Sequence, residues 1–244
     1  MYQGFINYGE EFEFYYNLLK KYQCKSVVEI GCGTGNLANR FIQKEIEYTG
    51  LDQSDNMLTI AKRNNPGSQF IQGDMRNFHL KKNVDSAIIT GRTISYLITD
   101  NDVQDTFSCI YKILNTAGII CFDCIDASKF IPLIRPEKKI VHTADFNNKK
   151  YRRESFWAAN HQQSGMFDWA SFYYEVDTGG QFLKIGEDHS TLRASYKKEI
   201  ILLLEATGFG VKEIIDRPSY AFDTFVILAE KRQLAKEGRF RDAS

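Results

Sequence analysis

The sequence predicts an α/β fold: a mostly parallel, doubly wound sheet that carries an antiparallel β insert. Three observations predict it. From residue 24 to 126 short apolar runs alternate with segments of helical apolar spacing, the pattern of a parallel sheet flanked by helices. The first apolar run ends in three glycines at alternate positions, Gly31, Gly33 and Gly35. After Asp126 the pattern changes to alternating apolar and polar residues separated by turn signals, which reads as hairpins.

Taken in order, residues 10–22 set Phe14, Tyr15, Leu18 and Leu19 at helical spacing. A strand follows over 26–30, then the glycine turn and a helix over about 36–44. The glycines permit backbone angles that a Cβ would penalise and let a ligand lie against the main chain. The helix beyond them turns unpaired N–H groups and a positive dipole end toward whatever sits on the loop. A second strand over 46–51 ends at Asp52, and Ser54 caps a helix over 55–64 closed by Asn65-Pro66-Gly67. Further strands are expected at 69–72, 84–90 and 118–124, with a helix over 103–114. The insert shows strand patterns at 140–143, 151–157, 167–176 and 182–185 with turns at Asn147-Asn148, Ser164-Gly165 and Gly179-Gly180. A helix over 196–207, stopped by Gly208, and strands at 211–216 and 222–229 close the fold.

Composition narrows the function classes. With 31 basic and 31 acidic side chains the chain has no net pull toward nucleic acid or anionic membrane. No apolar run approaches the roughly 18 residues of a membrane span, and Met1-Tyr2-Gln3-Gly4-Phe5 lacks the regions of a signal peptide, so a cytoplasmic protein is expected. Five cysteines form no disulfide framework. Cys121 and Cys124 make a C-x-x-C spacing, but three residues apart on a strand they point to opposite faces, so buried thiols are expected. No metal-ligand pattern is read.

Three acids stand at three strand ends, where ligands of an open parallel sheet bind: Glu29, Asp52 and Asp74. Asp52 lies 17 residues beyond Gly35, which suits a carboxylate on the hydroxyls of a ribose. Asp74 suits an adenine amino group. Met57 and Met75 suit the base faces, although the place of Met57 in Met57-Leu58-x-Ile60-Ala61 equally suits a helix core. A dinucleotide fingerprint would need glycine where Asn36 stands, and three carboxylates would oppose a pyrophosphate. S-adenosylmethionine, with no phosphate and a sulfonium, suits these acids.

Val28-Glu29-Ile30-Gly31-Cys32-Gly33-Thr34-Gly35 resembles the first motif of class I S-adenosylmethionine-dependent methyltransferases. Gly50-Leu51-Asp52-Gln53-Ser54-Asp55-Asn56-Met57-Leu58 resembles their second, and Gln72-Gly73-Asp74-Met75-Arg76 their third. The match runs from about residue 24 to 126 with all spacings kept. It implies a seven-stranded, Rossmann-like sheet whose last strand is antiparallel. It implies S-adenosyl-L-methionine as cofactor, held by Glu29, Gly31, Cys32, Gly33, Gly35, Asp52, Gln53, Met57, Asp74, Met75, Thr90 and Arg92. The insert between the fifth strand and the last helix is similar in layout to that of small-molecule enzymes, among them sugar-amine and glycine N-methyltransferase-like ones. The domain expectation is a helical cap over 1–23, a core over 24–135 and 191–231, an insert over 136–190 forming a substrate lid, and a flexible tail over 232–244.

The resemblance also turns the end of the fourth strand, Thr90-Gly91-Arg92-Thr93-Ile94-Ser95-Tyr96, toward the donor methyl. It lacks the Asn/Asp-Pro-Pro-Tyr/Phe motif of planar-amine enzymes and the Pro-Cys nucleophile of cytosine-carbon enzymes, which argues against nucleic-acid bases. Arg92 suits either an ion pair with the cofactor-side acids or an acceptor carboxylate or phosphate. Arg92, Tyr96 and His189 are the candidate catalytic residues, with His161 and Arg193 also on the expected rim; Tyr8 and Tyr15 are candidates for closing the site. The rings of the insert suit sheet packing or a roof over the acceptor. Lys149-Lys150-Tyr151-Arg152-Arg153 is expected as a solvated hairpin tip. The expectation is thus an enzyme that methylates N or O of a small molecule. An RNA-modifying enzyme using that basic tip, or a non-catalytic S-adenosylmethionine-binding protein, are the alternatives, and a homodimer is compatible with all three.

Overall fold

The computed structural model describes residues 6–135, 139–160, 165–177, 179–219 and 222–233. Its elements in chain order are α1 (Tyr8–Lys21), β1 (Ser26–Ile30), α2 (Ala38–Gln43), β2 (Glu47–Asp52), α3 (Asp55–Asn64), β3 (Gln69–Gln72), β4 (Val84–Ile89), α4 (Asp100–Ile113), β5 (Leu114–Ile125) and α5 (Ala127–Phe130). They continue with β6 (Lys139–Phe146), β7 (Lys149–Ala159), β8 (Met166–Val176), β9 (Phe182–Arg193), α6 (Lys197–Ala206), β10 (Phe209–Asp216) and β11 (Thr224–Lys231).

The main sheet has seven strands in the order β10-β11-β5-β4-β1-β2-β3. β1 pairs parallel with both β4 and β2, and only β11, the last strand, runs antiparallel to its neighbours. The strand order reverses between β1 and β4, and that crevice is where ligands enter such sheets.

Local sequence sets the element ends. The Ser54 hydroxyl accepts the N–H of Met57 to start α3. Thr99 accepts the N–H of Asp102, so α4 begins at Asp100, three residues before its first apolar position. Both faces of the sheet are covered. On one, α1 buries Phe12, Tyr15, Leu18 and Leu19 and α2 buries Phe41 against Val27, Ile88 and Cys121. On the other, Phe107 and Ile110 of α4 and Leu203 and Leu204 of α6 pack on Val28, Ile120, Phe122 and Cys124. Each large apolar side chain so enclosed stabilises the fold by roughly 1.5–3 kcal/mol. Cys121 and Cys124 thus lie in opposite layers, and all five cysteines are free and buried.

The insert is a four-stranded antiparallel sheet in the order β6-β7-β8-β9. It docks through Phe167 and Leu192 on Ile125, Phe130 and Phe222. Its strands are longer than the sequence pattern suggests: β9 reaches Arg193 rather than residue 185, because cross-strand pairing with β8 continues through the polar stretch from Glu187 to Thr191. The turn between β6 and β7 is Asn147-Asn148, both with positive φ. The basic run therefore leaves the hairpin tip as a strand: Lys149 and Lys150 are exposed beside the turn, as expected of a solvated tip, but the run ends buried. Lys149 pairs with Glu175 and Arg152 with Glu154, and Arg153 is 1% exposed, among the largest fully buried side chains of the chain. Among the described residues no helix is long and apolar enough to cross a membrane. Residues 1–5 of the expected cap, His161 and residues 234–244 of the expected tail lie outside the described residues.

Candidate active site

The loop after β1 is held to β2 by its backbone. The N–H groups of Gly31 and Cys32 donate to the Leu51 carbonyl at 2.7 and 3.0 Å, and the N–H of Gly33 donates to Asp52 at 2.8 Å. The other Asp52 oxygen accepts the N–H of Ser54 at 2.9 Å, so one carboxylate ties the glycine loop to the start of α3. Gly31 and Gly33 both have positive φ. A Cβ on Gly31 would overlap the Thr93 side chain, whereas one on Gly33 would meet nothing within 4 Å. Gly33 therefore leaves space over the loop.

That space belongs to a cavity of about 580 Å³. Its floor is Glu29, the loop residues Gly31 to Thr34, and Thr90 to Thr93; Met57 and Leu37 stand at one side. Ile6, Asn7, Tyr8, Glu10 and Glu11 of the N-terminal segment close another, and Asp123, Arg217, Pro218, Ser219 and Thr224 form the far wall.

Glu29 is buried in this floor. The Tyr48 hydroxyl donates to one of its oxygens at 2.5 Å and the Thr90 hydroxyl to the other at 3.2 Å. Burial pushes its carboxyl up to about 7, against the pull of those two hydrogen bonds. Burial likewise raises the Cys32 thiol, so it stays protonated and inert. At the far wall, burial raises the Asp123 carboxyl, with the positive charge of Arg92 acting the other way. Arg92 has a left-handed φ of 63° and donates its N–H to Asp123 at 2.9 Å. Its guanidinium reaches Ser219 at 3.0 Å and lies over the Phe222 ring. Arg217 pairs with Glu11 at 2.9 Å and stacks over Phe14.

The structure thus brings Glu29, Gly31, Cys32, Gly33, Met57, Thr90 and Arg92 into one cavity wall, with Tyr8 beside them. Met57 is 45% exposed and turned to the cavity rather than to the core. Arg92 makes none of the expected ion pairs with Glu29, Asp52 or Asp74; its backbone serves Asp123 instead. Gly35, Asp52, Gln53 and Met75 are not among the residues that line the cavity: Asp52 is turned to the N–H groups of Gly33 and Ser54, and Met75 packs against the sheet core. Asp74 sits at the sheet edge with both oxygens engaged by Arg76, which holds its carboxyl below the usual range.

Tyr96 is half-exposed on the turn after β4 and outside the cavity wall. Tyr15 is fully buried under the sheet and does not close the site. His189 is not brought to the site. It stands opposite Ala170 and against Phe172, on the face of the insert that alternation turns away from Phe167 and Trp169. It borders a separate shallow depression of about 390 Å³ on that outer face. Arg193 is buried in an ion pair with Asp100, at 2.6 Å, and with Glu199, at the junction of insert and core; it holds the fold together there.

Sequence reasoning missed Asp123, Glu11 and Arg217. Only Asp123 left a trace, as the one acid inside the apolar run 119–125. Chemically, the cavity offers a small, partly enclosed space with a carboxylate floor, a glycine loop open to backbone approach and a polar far wall. Among the described residues no cluster of His, Cys, Asp and Glu is arranged to hold a metal ion.

Comparison with known proteins agrees in kind. Residues 27–118 match a family described as a methyltransferase domain. The chain is 27% identical over 192 residues to the putative methyltransferase YqeM of Bacillus subtilis (strain 168), covering 77% of this chain and 74% of that one. Among solved structures it resembles DesVI of Streptomyces venezuelae, at a TM-score of 0.78 and 19% identity over 91% of both chains. It also resembles the S-adenosylmethionine-bound amino pentose methyltransferase CalS10 of Micromonospora echinaspora, at a TM-score of 0.78 and 17% identity over 94% of both. At such identities the likeness to the two structures is one of fold.

Proposed function

We propose that this chain, whose residues 27–118 match a methyltransferase-domain family, is a class I S-adenosylmethionine-dependent methyltransferase that transfers the donor's methyl group to N or O of a small-molecule acceptor in the cavity beside the glycine loop. One observation carries the reading: the absent Cβ of Gly33 leaves open space on the loop that Asp52 anchors. A group the size of a methyl on Gly33 would meet no protein atom within 4 Å, so part of a donor can approach that backbone.

In this reading Glu29 and the loop residues Gly31 to Gly33 hold the methionine part. The negative charge of Glu29 answers the donor's ammonium. Asp52 keeps the loop in register and offers its remaining lone pairs to the ribose hydroxyls. Met57, exposed on the cavity side, covers one face of the base. Asp74 takes the adenine amino group only if it keeps an accepting lone pair beside Arg76. The bound donor supplies a methyl already activated by its sulfonium. The protein's share is alignment and exclusion of water, and orientation of this kind contributes roughly 7–11 kcal/mol. The N-terminal residues Asn7, Tyr8 and Glu11 wall off solvent on one side. The volume of the cavity, about 580 Å³, is in the range of small-molecule sites and suits donor and a small acceptor together.

The names of the structural neighbours, an amino pentose methyltransferase among them, support amino sugars as a first acceptor panel. Incubation with S-adenosylmethionine and small amines and alcohols, read as S-adenosylhomocysteine formed, tests the reading. Product with at least one small acceptor is expected; product with RNA alone would contradict it.

A further inference from the structure

Asp123 is an isolated acid in an otherwise apolar strand, and the fold keeps it there with some effort. Phe122 is paired with Ile89 across β4 and β5, so Asp123 stands level with Thr90, whose hydroxyl serves Glu29. Asp123 is 6% exposed and lines the cavity. Its Oδ1 accepts the N–H of Arg92, which a left-handed backbone turns toward it. A non-glycine residue in that region is strained and persists where surrounding structure enforces it, often at functional sites. The neighbours whose charges bear on Asp123 are Arg92, Arg217 and Glu11, with the Tyr15 phenol buried nearby.

The guanidinium of Arg217 is held by Glu11 and Phe14, and that of Arg92 by Ser219 and Phe222. Among the described residues no second hydrogen-bond donor reaches the Asp123 carboxylate, and its partnerless Oδ2 is not among the fully buried polar atoms, while the residue lines the cavity. A nearly buried carboxylate with an open oxygen calls for a hydrogen-bond donor, and a molecule in the cavity is placed to supply one.

We propose that Asp123 is the acceptor-positioning residue of this site, its open oxygen taking a hydrogen bond from a proton on the acceptor's nitrogen. The inference rests on the donor placement given under Proposed function. In the transfer step the nitrogen lone pair forms the new N–C bond, and the C–S electron pair passes to sulfur as a neutral thioether. The nitrogen becomes positively charged and gives up its proton along the hydrogen bond to Asp123. Strengthening of that bond as charge develops on nitrogen favours the transition state over the ground state.

Sinefungin tests this without knowledge of the acceptor, because it carries an ammonium-bearing carbon where the donor carries its methylsulfonium. Calorimetric affinities for sinefungin and for S-adenosylhomocysteine would be measured with wild-type protein, Asp123→Asn and Asp123→Glu. Asp123→Asn keeps an oxygen for the Arg92 N–H. It is expected to weaken sinefungin about tenfold or more while S-adenosylhomocysteine stays within about twofold; Asp123→Glu recovers part of the loss. Equal changes for both ligands, or none for sinefungin, would overturn the assignment while the donor site stands. Failure of wild-type protein to bind S-adenosylhomocysteine would overturn the donor placement itself, and this inference with it.

Discussion

The Tyr48 hydroxyl donates a 2.5 Å hydrogen bond to the buried Glu29 carboxylate, joining β2 to β1 beneath the glycine loop. Tyr48 and Thr90 favour the anion that burial opposes, and burial dominates. The floor of the proposed donor site is therefore a carboxylate that ionises near neutral pH.

Two opposite pH dependences follow. In the empty protein Glu29 is protonated below about 7, and in the unfolded chain only below its ordinary value of 4.5. Between those values the folded state carries the extra proton, so the contribution of Glu29 to stability falls as pH rises through that window. Donor binding needs the anion and strengthens with pH up to about 7. S-adenosylhomocysteine is expected to bind about tenfold more weakly near pH 6 than near pH 8, and Glu29→Gln to bind weakly at both. A flat wild-type titration would remove Glu29 from the donor site.

Two glycines two residues apart respond differently to a methyl group. Gly31→Ala drives a Cβ into Thr93, and at its positive φ the thermal midpoint is expected to drop by several degrees. Gly33→Ala also carries the positive-φ penalty but meets no protein atom. It should melt closer to wild type yet bind the donor at least about tenfold more weakly, because its methyl occupies the cavity. Thermal melts and calorimetry on the same samples separate the two, and a Gly33→Ala protein with unchanged affinity would contradict the placement.

Arg193→Ala leaves Asp100 and Glu199 facing each other without their cation. Asp100 remains largely solvated, so the expected loss is about 2–4 kcal/mol rather than the top of the range for a fully enclosed pair. Urea denaturation should show it, with donor affinity within about twofold of wild type. A stable variant with lost donor binding would move Arg193 from the fold to the site.

His189→Ala is expected to change methyl transfer by less than about twofold at any pH, because the ring lies on the outer face of the insert against Phe172. A large loss of turnover with unchanged donor affinity would show that the insert presents its outer face to the acceptor.

Much of this was legible in the sequence where one local rule decided the outcome. Ser26–Ile30 and Gln69–Gln72 are strands as read, and Ser54 caps Asp55–Asn64 as read, because apolar runs, a capping hydroxyl and breakers act within a few residues. The last strand runs antiparallel and the insert follows β5, as the resemblance implied. What stayed hidden depends on contacts distant in sequence. Glu11 and Arg217 meet across 206 positions, and no spacing rule joins them. Arg153 sits in a basic run that reads as solvated, yet the insert sheet encloses it. His189 follows the right turn signals but falls on the outward half of a two-residue repeat, and a one-residue shift in strand register decides that face.

The most direct test of the account is calorimetric binding of S-adenosylmethionine at about pH 8, where Glu29 is ionised, to wild-type protein and to Asp52→Ala. One-to-one binding is expected for wild type. The variant loses the acceptor for the Gly33 and Ser54 N–H groups together with the proposed ribose contact. At roughly 1.5–3 kcal/mol for each hydrogen bond to a charged group, affinity should fall about a hundredfold while the melt shows a folded protein. Undiminished binding by a folded Asp52→Ala protein would contradict the placement of the donor on this loop.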